Sequence, residues 1–212
     1  MRDRPLSDPP PPLGGRDLRG WRLPRCGGCG LPDALCLCAE LPSLAVRTRV
    51  VVVMHRIEAL RSTNTGRLAA RMLSGASARV RGDRDVPTEP APEGRRLVLF
   101  PLEGARPLAR DDAGDDLVLV VPDGTWSQAR RIHRRDPASR GAETVTLPAA
   151  GPSAYDLRRG AREGGVCTLE AVAAALGVLE GEAVEAALRG AFVAWRERAV
   201  RARQGDLQRA RP

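Results

Sequence analysis

Lysine is absent from the sequence, so all 34 of its basic residues are arginine. This absence indicates a bias in nucleotide composition towards arginine codons, and single clusters of arginine are therefore weaker signals than they look. The codon bias does not account for the net positive charge, because 34 basic residues against 26 acidic ones give a formal charge of +8. With a pI near 10.6, the chain favours a polyanionic partner.

Aromatic residues are also scarce, at 3% of the chain. Their scarcity argues against a platform that stacks successive bases of a single strand, and recognition of the backbone and shape of a folded nucleic acid fits better. No run of 18 apolar residues occurs, so no transmembrane span is predicted. Residues 1–20 lack the apolar region of a secretory signal, and we expect a cytoplasmic protein with no membrane partner.

The 212 residues are enough for one α/β domain with appendages. Residues 1–20 are rich in proline, glycine and charge, with consecutive prolines at Pro9–Pro12, and we expect them to form a disordered leader. Residues 206–212 are interpreted as a basic tail.

Four of the five cysteines lie close together near the N-terminus, with the spacing C-x2-C-x6-C-x-C. They are Cys26, Cys29, Cys36 and Cys38. Thiols at this spacing in a cytosolic chain favour tetrahedral Zn²⁺ over disulfides. A redox C-x-x-C, or structural thiols without metal, is the alternative. Because four cysteine ligands leave no open position on the metal, residues 21–43 are interpreted as a structural zinc module that could also position RNA.

The stretch that follows position 116 organises the rest of the chain. Five apolar residues, Leu117–Val121, predict a strand buried on both faces, as in a parallel sheet, and Pro122 is predicted to end it. Thr125 stands three residues before Gln128, which is the pattern of a capping box. A helix is therefore predicted from Thr125 to Arg135.

This pattern places Asp123, Thr125 and Trp126 at the carboxyl end of a central strand. Open α/β sheets bind their ligands at that edge. The alternative is structural, because Asp-Gly is a common turn and Trp126 could simply anchor the core.

Three further buried strands are predicted around the central one, and a polar turn follows two of them. The strands are Thr48–His55, Leu97–Phe100 and Glu143–Leu147, and the turns are Asn64–Gly66 and Phe100–Gly104. The first turn is predicted to open a helix to about Leu73, and residues 82–95 to form a polar loop. His55 could serve as a base, although a histidine at a strand end is more often only hydrogen-bonded.

Two helices are predicted at the C-terminal end of the chain. The first has Thr168 as its N-cap and Glu170 in its first turn. The second runs from about Gly181 to Arg203 and carries apolar residues among arginines, so that its basic face is solvated while the other closes the core.

Four separate segments, in order and spacing, resemble the DTW-domain family. The signature D-x-T-W is present as Asp123-Gly124-Thr125-Trp126, within DGTWSQAR. The others are the cysteine segment RCGGC…CLC, HRIE…NTGRLA at His55–Ala69, and CTLEA at Cys167–Ala171. The resemblance covers residues 21–180. The sequence departs from the family pattern at Cys167, where serine is expected, and at Arg56, where proline is common.

The resemblance implies a tRNA-uridine aminocarboxypropyltransferase. Such an enzyme transfers the 3-amino-3-carboxypropyl group of S-adenosylmethionine to N3 of a uridine, giving acp3U and methylthioadenosine. The implied fold class is α/β, a SPOUT-like, mostly parallel sheet with flanking helices and a knotted cofactor-binding end, preceded by the four-cysteine zinc module. Residues 44–205 would form this catalytic domain. The sulfonium is already an activated leaving group, so the zinc would be structural.

The resemblance also implies roles for individual residues. The catalytic candidates are Asp123, Thr125 and Trp126, with Asp123 either accepting the N3 proton or holding the cofactor's ammonium group or the turn. The candidates for binding the cofactor are Asn64, Thr65, Gly66, Phe100, Pro101, Glu103, Gly104, Asp123, Cys167, Thr168 and Glu170. The candidates for binding tRNA phosphates are Arg130, Arg131, Arg134, Arg158 and Arg159.

Other activities stay open at this stage. The same scaffold could carry an RNA methyltransferase or an aminocarboxypropyltransferase acting on rRNA, or the chain could be a zinc-containing RNA-binding module without activity. The intact DGTW turn argues against the last of these, because a pure binder need not keep an acid beside a cleft. A monomer is the default expectation.

Overall fold

The computed structural model describes residues 24–82, 87–148 and 166–207. The expected leader at residues 1–20, the candidate RNA ligands Arg158 and Arg159, and most of the expected basic tail lie outside these ranges. No helix within the described ranges is both long and apolar enough to reach across a bilayer.

A single parallel sheet of six strands, counted over the described residues, has the order β2-β1-β5-β3-β6-β4. The strands are β1 (Arg49–His55), β2 (Ser77–Arg81), β3 (Arg95–Leu99), β4 (Arg106–Pro107), β5 (Leu117–Asp123) and β6 (Glu143–Thr146). The apolar strands β1 and β5 are neighbours inside the sheet and are buried on both faces. The predicted parallel α/β sheet with flanking helices is confirmed.

The described part of the chain also contains five α-helices. They are α1 (Arg56–Ala59), α2 (Thr65–Arg71), α3 (Trp126–Arg135), α4 (Thr168–Glu180) and α5 (Glu182–Gln204). The predicted limits of α3 are confirmed, and α5 begins and ends within one residue of its prediction. Helix α2 ends two residues earlier than expected, and the chain turns at Gly75 with φ +74°.

Successive residues of each strand point to opposite faces, and the two faces are covered by different elements. Leu117, Leu119 and Val121 of β5 join the larger core with α2, α4 and α5. Val118 and Val120 join a smaller core with α3. The N-terminal ends of α2, α3 and α4 all lie near the carboxyl end of β5, as the contacts of Asp123 described below show.

The prediction that Pro122 ends the central strand is wrong. Strand β5 continues through Pro122 to Asp123, which pairs with Met54 of β1. On the opposite side the pairing with β3 stops at Val120. Beyond that point β5 pairs on one side only, and an edge position tolerates a residue that has no N–H to donate.

Strands β2 and β4 were not expected from the sequence. Strand β2, SARVR, is half-buried throughout, so it lacks the apolar run by which its neighbours are recognised. Strand β4 has only two residues, Arg106 and Pro107, both exposed. Arg106 is held there by Asp112, which accepts from both terminal nitrogens of its guanidinium at 2.7 Å.

The cysteine segment packs on the C-terminal helix. Leu31, Leu35 and Leu37 belong to the larger core, together with Phe192 and Trp195 of α5. The indole N–H of Trp195 donates to the Cys29 carbonyl oxygen at 2.8 Å, and Arg198 donates to the Cys36 carbonyl oxygen at 3.0 Å. The segment therefore shares a core with the rest of the fold.

Candidate functional site

Asp123 is a buried carboxylate at the point where three segments of the chain meet. The residue is 2% exposed. The Asn64 amide donates to Oδ2 at 2.6 Å, and the Thr168 hydroxyl donates to Oδ1. Gly66 allows this packing, since a Cβ at that position would lie 2.9 Å from Oδ2. The structure thus brings Asn64, Gly66, Asp123 and Thr168 together, although 59 and 45 residues separate Asp123 from its two donors.

The orientation of the Asn64 side chain is fixed by helix α2. As the N-cap of α2, its Oδ1 accepts from the backbone N–H of Arg67 at 2.7 Å, which turns its NH₂ group towards Asp123. Arg67 also donates to the carbonyl oxygens of Ala59 and Arg61 at 3.2 and 3.1 Å. Burial lowers the pKa of this guanidinium, and the charge of Asp123 partly offsets that effect. Arg67 was not predicted as a site residue, because no local pattern indicates its position beside the carboxylate.

The start of α4 differs by one residue from the prediction. The N-cap is Cys167, whose backbone N–H is held by Glu170 Oε2 at 2.8 Å, and Thr168 is the first helical residue. The hydroxyl of Thr168 does not cap the helix because it donates to Asp123. Burial raises the pKa of the Cys167 thiol to about 12, and the negative charge of Glu170 raises it further. A hydrogen bond from Thr65 acts in the opposite direction. Cys167 is therefore a neutral thiol in contact with the start of α2.

The DTW turn leads directly from Asp123 into α3. Thr125 is the N-cap, as predicted, and forms the capping box with Gln128: its backbone N–H donates to Gln128 Oε1 at 2.8 Å. Trp126 is 44% exposed, so the alternative of a core anchor does not describe it. Its ring meets Phe100 edge to face, with 6.2 Å between centroids, and Phe100 stacks on His133 at 5.0 Å. The end of β3 and the start of α3 are joined by these rings.

The candidate loop after β3 lies at the same edge of the sheet but is open to solvent. Phe100 is buried, whereas Pro101, Glu103 and Gly104 are exposed. Gly104 has φ +79°. Phe100 connects this loop to the DTW turn through its ring contact with Trp126, while the exposed Glu103 points to solvent rather than into the buried contacts of Asp123.

His55 ends β1 beside the DTW turn. Its Nδ1 accepts from the backbone N–H of Ile57 at 3.3 Å, which caps α1. A Cβ on Gly124 would lie 3.5 Å from the His55 Cβ. Burial lowers the pKa of His55, and the positive charges of Arg56 and Arg131 lower it further. The carboxylate of Glu58 opposes this shift, but the net effect on the pKa favours the neutral imidazole next to the turn.

The candidate RNA ligands of α3 form an exposed basic surface. Arg130, Arg131 and Arg134 are all exposed, on the side of the helix away from the buried Ala129 and Ile132. The surface begins one turn after Trp126, and is therefore adjacent to the end of β5.

The four-cysteine cluster has the geometry of a metal centre. The Sγ atoms of Cys26, Cys29, Cys36 and Cys38 lie within 4.8 Å of one another. Those of Cys26 and Cys38 are 3.5 Å apart, and those of Cys29 and Cys36 are 3.9 Å apart. A tetrahedral zinc ion with bonds of about 2.3 Å separates its sulfur ligands by about 3.8 Å. The cluster can therefore hold a metal ion, and these separations fit zinc.

Backbone amides around the cluster favour the thiolate form that a metal requires. Burial raises the pKa of the Cys26 thiol, but hydrogen bonds from the backbone N–H groups of Cys29 and Gly28 outweigh it, and the pKa is about 7. Cys29 likewise accepts from the N–H groups of Leu37 and Leu31, although burial keeps its pKa raised. Such donors stabilise sulfur ligands in metal sites.

Comparison with known proteins identifies one domain family and several similar proteins. The DTW domain family matches residues 23–200. A tRNA-uridine aminocarboxypropyltransferase 2 from Drosophila melanogaster is 31% identical over 172 residues, covering 75% of this chain and 68% of that protein. The protein of the same name from Macaca fascicularis is 30% identical over 171 residues, covering 75% of this chain and 57% of that protein.

A plant protein is also similar. The tRNA-uridine aminocarboxypropyltransferase A of Arabidopsis thaliana is 27% identical over 202 residues, covering 76% of this chain and 75% of that protein. Of the macaque relative, the chain spans little more than half the length, at 57%. No solved structure matches the chain significantly.

Proposed function

The chain belongs to the DTW domain family, and from this membership we propose that it is a tRNA-uridine aminocarboxypropyltransferase, the activity for which its relatives are named. The observation that carries the proposal is the DTW turn itself. Asp123 is buried at the carboxyl end of β5 and bonded to the starts of α2 and α4, where open α/β sheets bind ligands.

In the proposed reaction, N3 of a tRNA uridine forms a bond to the terminal carbon of the 3-amino-3-carboxypropyl group of S-adenosylmethionine. The bond from that carbon to sulfur breaks, and its electron pair stays on sulfur, which leaves methylthioadenosine. The proton of N3 passes to a base. Because the sulfonium is already activated, the rate depends mainly on holding N3, carbon and sulfur in line.

We assign the proton-accepting role to Asp123. Each of its oxygens accepts one hydrogen bond, from Asn64 and Thr168, and a carboxylate oxygen has a second lone pair for a further partner. The same geometry would let Asp123 hold the ammonium group of the cofactor instead. Thr125 would fix the turn, and Trp126, exposed beside it, would contact substrate or cofactor.

The cofactor would lie at the carboxyl edge of the sheet, beside Asp123. Three segments reach this edge of the sheet and could contact the cofactor: Asn64–Gly66, the loop after Phe100, and Cys167–Glu170. A SPOUT-like knotted end is part of this proposal. It is supported by the parallel sheet and by the return of α4 to β5 at the Thr168–Asp123 contact.

The tRNA would approach along α3, since Arg130, Arg131 and Arg134 form an exposed positive surface next to the DTW turn. The metal of the cysteine cluster would be zinc, held by all four thiolates and without an open position for chemistry. Its contribution would be structural.

The test is the identity of the small product. The purified protein is incubated with unmodified tRNA and S-adenosylmethionine, and the small molecules are separated chromatographically. We expect methylthioadenosine and acp3U in equal amounts. S-adenosylhomocysteine with a methylated base would show a methyltransferase, and acp3U formed on rRNA but not tRNA would show a different substrate. Binding of tRNA without either product would show an RNA-binding module.

A further inference from the structure

The cysteine segment lies directly against the loop that leads into the Asp123 site. A Cβ on Gly30 would be 2.1 Å from the carbonyl oxygen of Ser62, so the two backbones are in close contact. Asn64, two residues after Ser62, donates to Asp123 at 2.6 Å. One residue of chain therefore separates the point of contact from the side chain that holds the carboxylate.

The position of Gly30 is set by the same turn that gathers the thiols. The Gly30 N–H donates to the Cys26 carbonyl oxygen at 2.9 Å, and the Gly30 carbonyl oxygen accepts from the Arg25 guanidinium at 3.2 Å. Its φ of +75° is open to glycine but costly for other residues. Because Cys26 and Cys29 flank this turn, a metal bound to them fixes Gly30 as well.

Helix α2 makes a second connection between the two sites. Its N-cap, Asn64, contacts Asp123. Its last residue, Arg71, lies next to the cluster. A Cβ added to Gly28 would be 3.0 Å from Arg71 Cζ and 2.8 Å from Cys38 Sγ, so the Arg71 guanidinium and the Cys38 thiol both approach Gly28. Seven helical residues span only about 10 Å, so the cysteine cluster and Asp123 sit at opposite ends of one short, rigid element.

We propose that the four-cysteine metal site is a positioning element of the active site. By holding Gly30 against Ser62 and the end of α2 against the cluster, it keeps the Asn64 amide in place on Asp123. Loss of the metal would release the loop at 61–64 and withdraw the Asn64 amide from Asp123 before the sheet unfolds. The catalytic consequence rests on the proposed function, whereas the structural coupling does not.

A glycine pair tests the contact without removing a thiol. In Gly30→Ala the new Cβ collides with the Ser62 backbone. Gly75→Ala is the matched control, because Gly75 has φ +74° but nothing within 4 Å of its Cβ position. Both variants are expected to bind one metal ion. A displacement on the order of 1 Å should lower kcat/KM about 100-fold in Gly30→Ala. Gly75→Ala should stay within about twofold of the wild type, because its new Cβ pushes against no other part of the chain.

Hydrogen exchange of the full-length wild-type protein, with and without a chelator, tests the coupling independently of activity. The amides of Asn64 and Arg67 donate to the Arg61 carbonyl oxygen and to Asn64 Oδ1. We expect their exchange to rise at least about tenfold when the metal is removed, while the Ala129 amide in α3 is unchanged. This measurement decides the coupling if Gly30→Ala does not fold.

Unchanged exchange at Asn64 and Arg67 after metal removal would overturn the proposal, as would equal losses of kcat/KM in Gly30→Ala and Gly75→Ala. If exchange rises as expected but the wild-type protein forms no methylthioadenosine, the coupling stands and the proposed function is wrong.

Discussion

Replacing Asp123 by asparagine removes one charge from the site and changes little else. The side chain keeps its size, and asparagine adopts the same turn conformations. Its Oδ1 can still accept from the Asn64 amide, and its NH₂ can donate to the Thr168 hydroxyl, which is able to reverse and accept. We therefore expect Asp123→Asn to fold.

The structural cost of the change can be worked out from these contacts. Hydrogen bonds to a charged group contribute roughly 1.5–3 kcal/mol each and neutral ones roughly 0.5–1.5 kcal/mol. Weakening two bonds in this way should cost about 2 kcal/mol, which lowers the Tm of a chain of this size by roughly 4–8 °C. The loss of the negative charge beside Arg67 adds to this cost.

The effect on the reaction should be much larger. If Asp123 takes the N3 proton in the rate-limiting step, Asp123→Asn should lower single-turnover formation of acp3U by about 10²–10⁴-fold, with calorimetric binding of S-adenosylmethionine largely intact. Asp136→Asn is the matched control. Asp136 is 5% exposed and bonded to the Ala138 amide at 2.9 Å, but it lies at the far end of α3. We expect it to lose stability without losing activity.

Near-normal turnover of Asp123→Asn would refute the role of general base. Lost binding of S-adenosylmethionine would instead make Asp123 a ligand of the cofactor. If turnover and binding both match those of Asp136→Asn, Asp123 is only a turn residue that joins α2 and α4 to β5.

Three further predictions concern other parts of the molecule. Freshly purified protein should contain about one equivalent of zinc, and Cys26→Ser should lose both the metal and thermal stability; metal-free wild-type protein would contradict this. Neutralising Arg130 and Arg131 together should reduce the slope of log affinity for tRNA against log salt by about one to two units, and an unchanged slope would place the RNA surface elsewhere. The hydrogen bonds from Arg106 lower the pKa of Asp112 to about 2. The stability that this gives is present above pH ~4, the usual range of an aspartate, and is lost as the pH falls towards 2. Urea titrations should therefore show Asp112→Asn to be less stable than the wild type at pH 7, with the difference shrinking towards pH 2.

Local signals in the sequence predicted the elements that build the DTW turn. The apolar run of β5 and the capping pair Thr125–Gln128 depend on neighbouring residues only, and both are present as expected. The error at Pro122 has a non-local cause, because the sequence does not reveal that β3 stops pairing at Val120. Edge strands β2 and β4 were missed for a related reason, since half-buried or two-residue strands carry no strong pattern of hydrophobicity.

The contacts of Asp123 were beyond sequence reasoning from the residues alone. Asn64 and Thr168 were candidates through their motifs, but their meeting on one carboxylate depends on how two distant helix starts pack. The same packing explains why Cys167 rather than Thr168 caps α4: two adjacent residues could each cap the helix, and the one beside Asp123 binds it instead. The contact between Gly30 and Ser62 is equally non-local.

The most direct test of the account is the nucleoside content of tRNA from a strain that lacks this gene. Digested tRNA from the deletion strain, and from strains complemented with the wild type, Asp123→Asn or Asp136→Asn, is analysed by mass spectrometry. We expect acp3U to disappear on deletion and to return with the wild type and Asp136→Asn, but not with Asp123→Asn. An unchanged level of acp3U in the deletion strain, or full restoration by Asp123→Asn, would contradict the account.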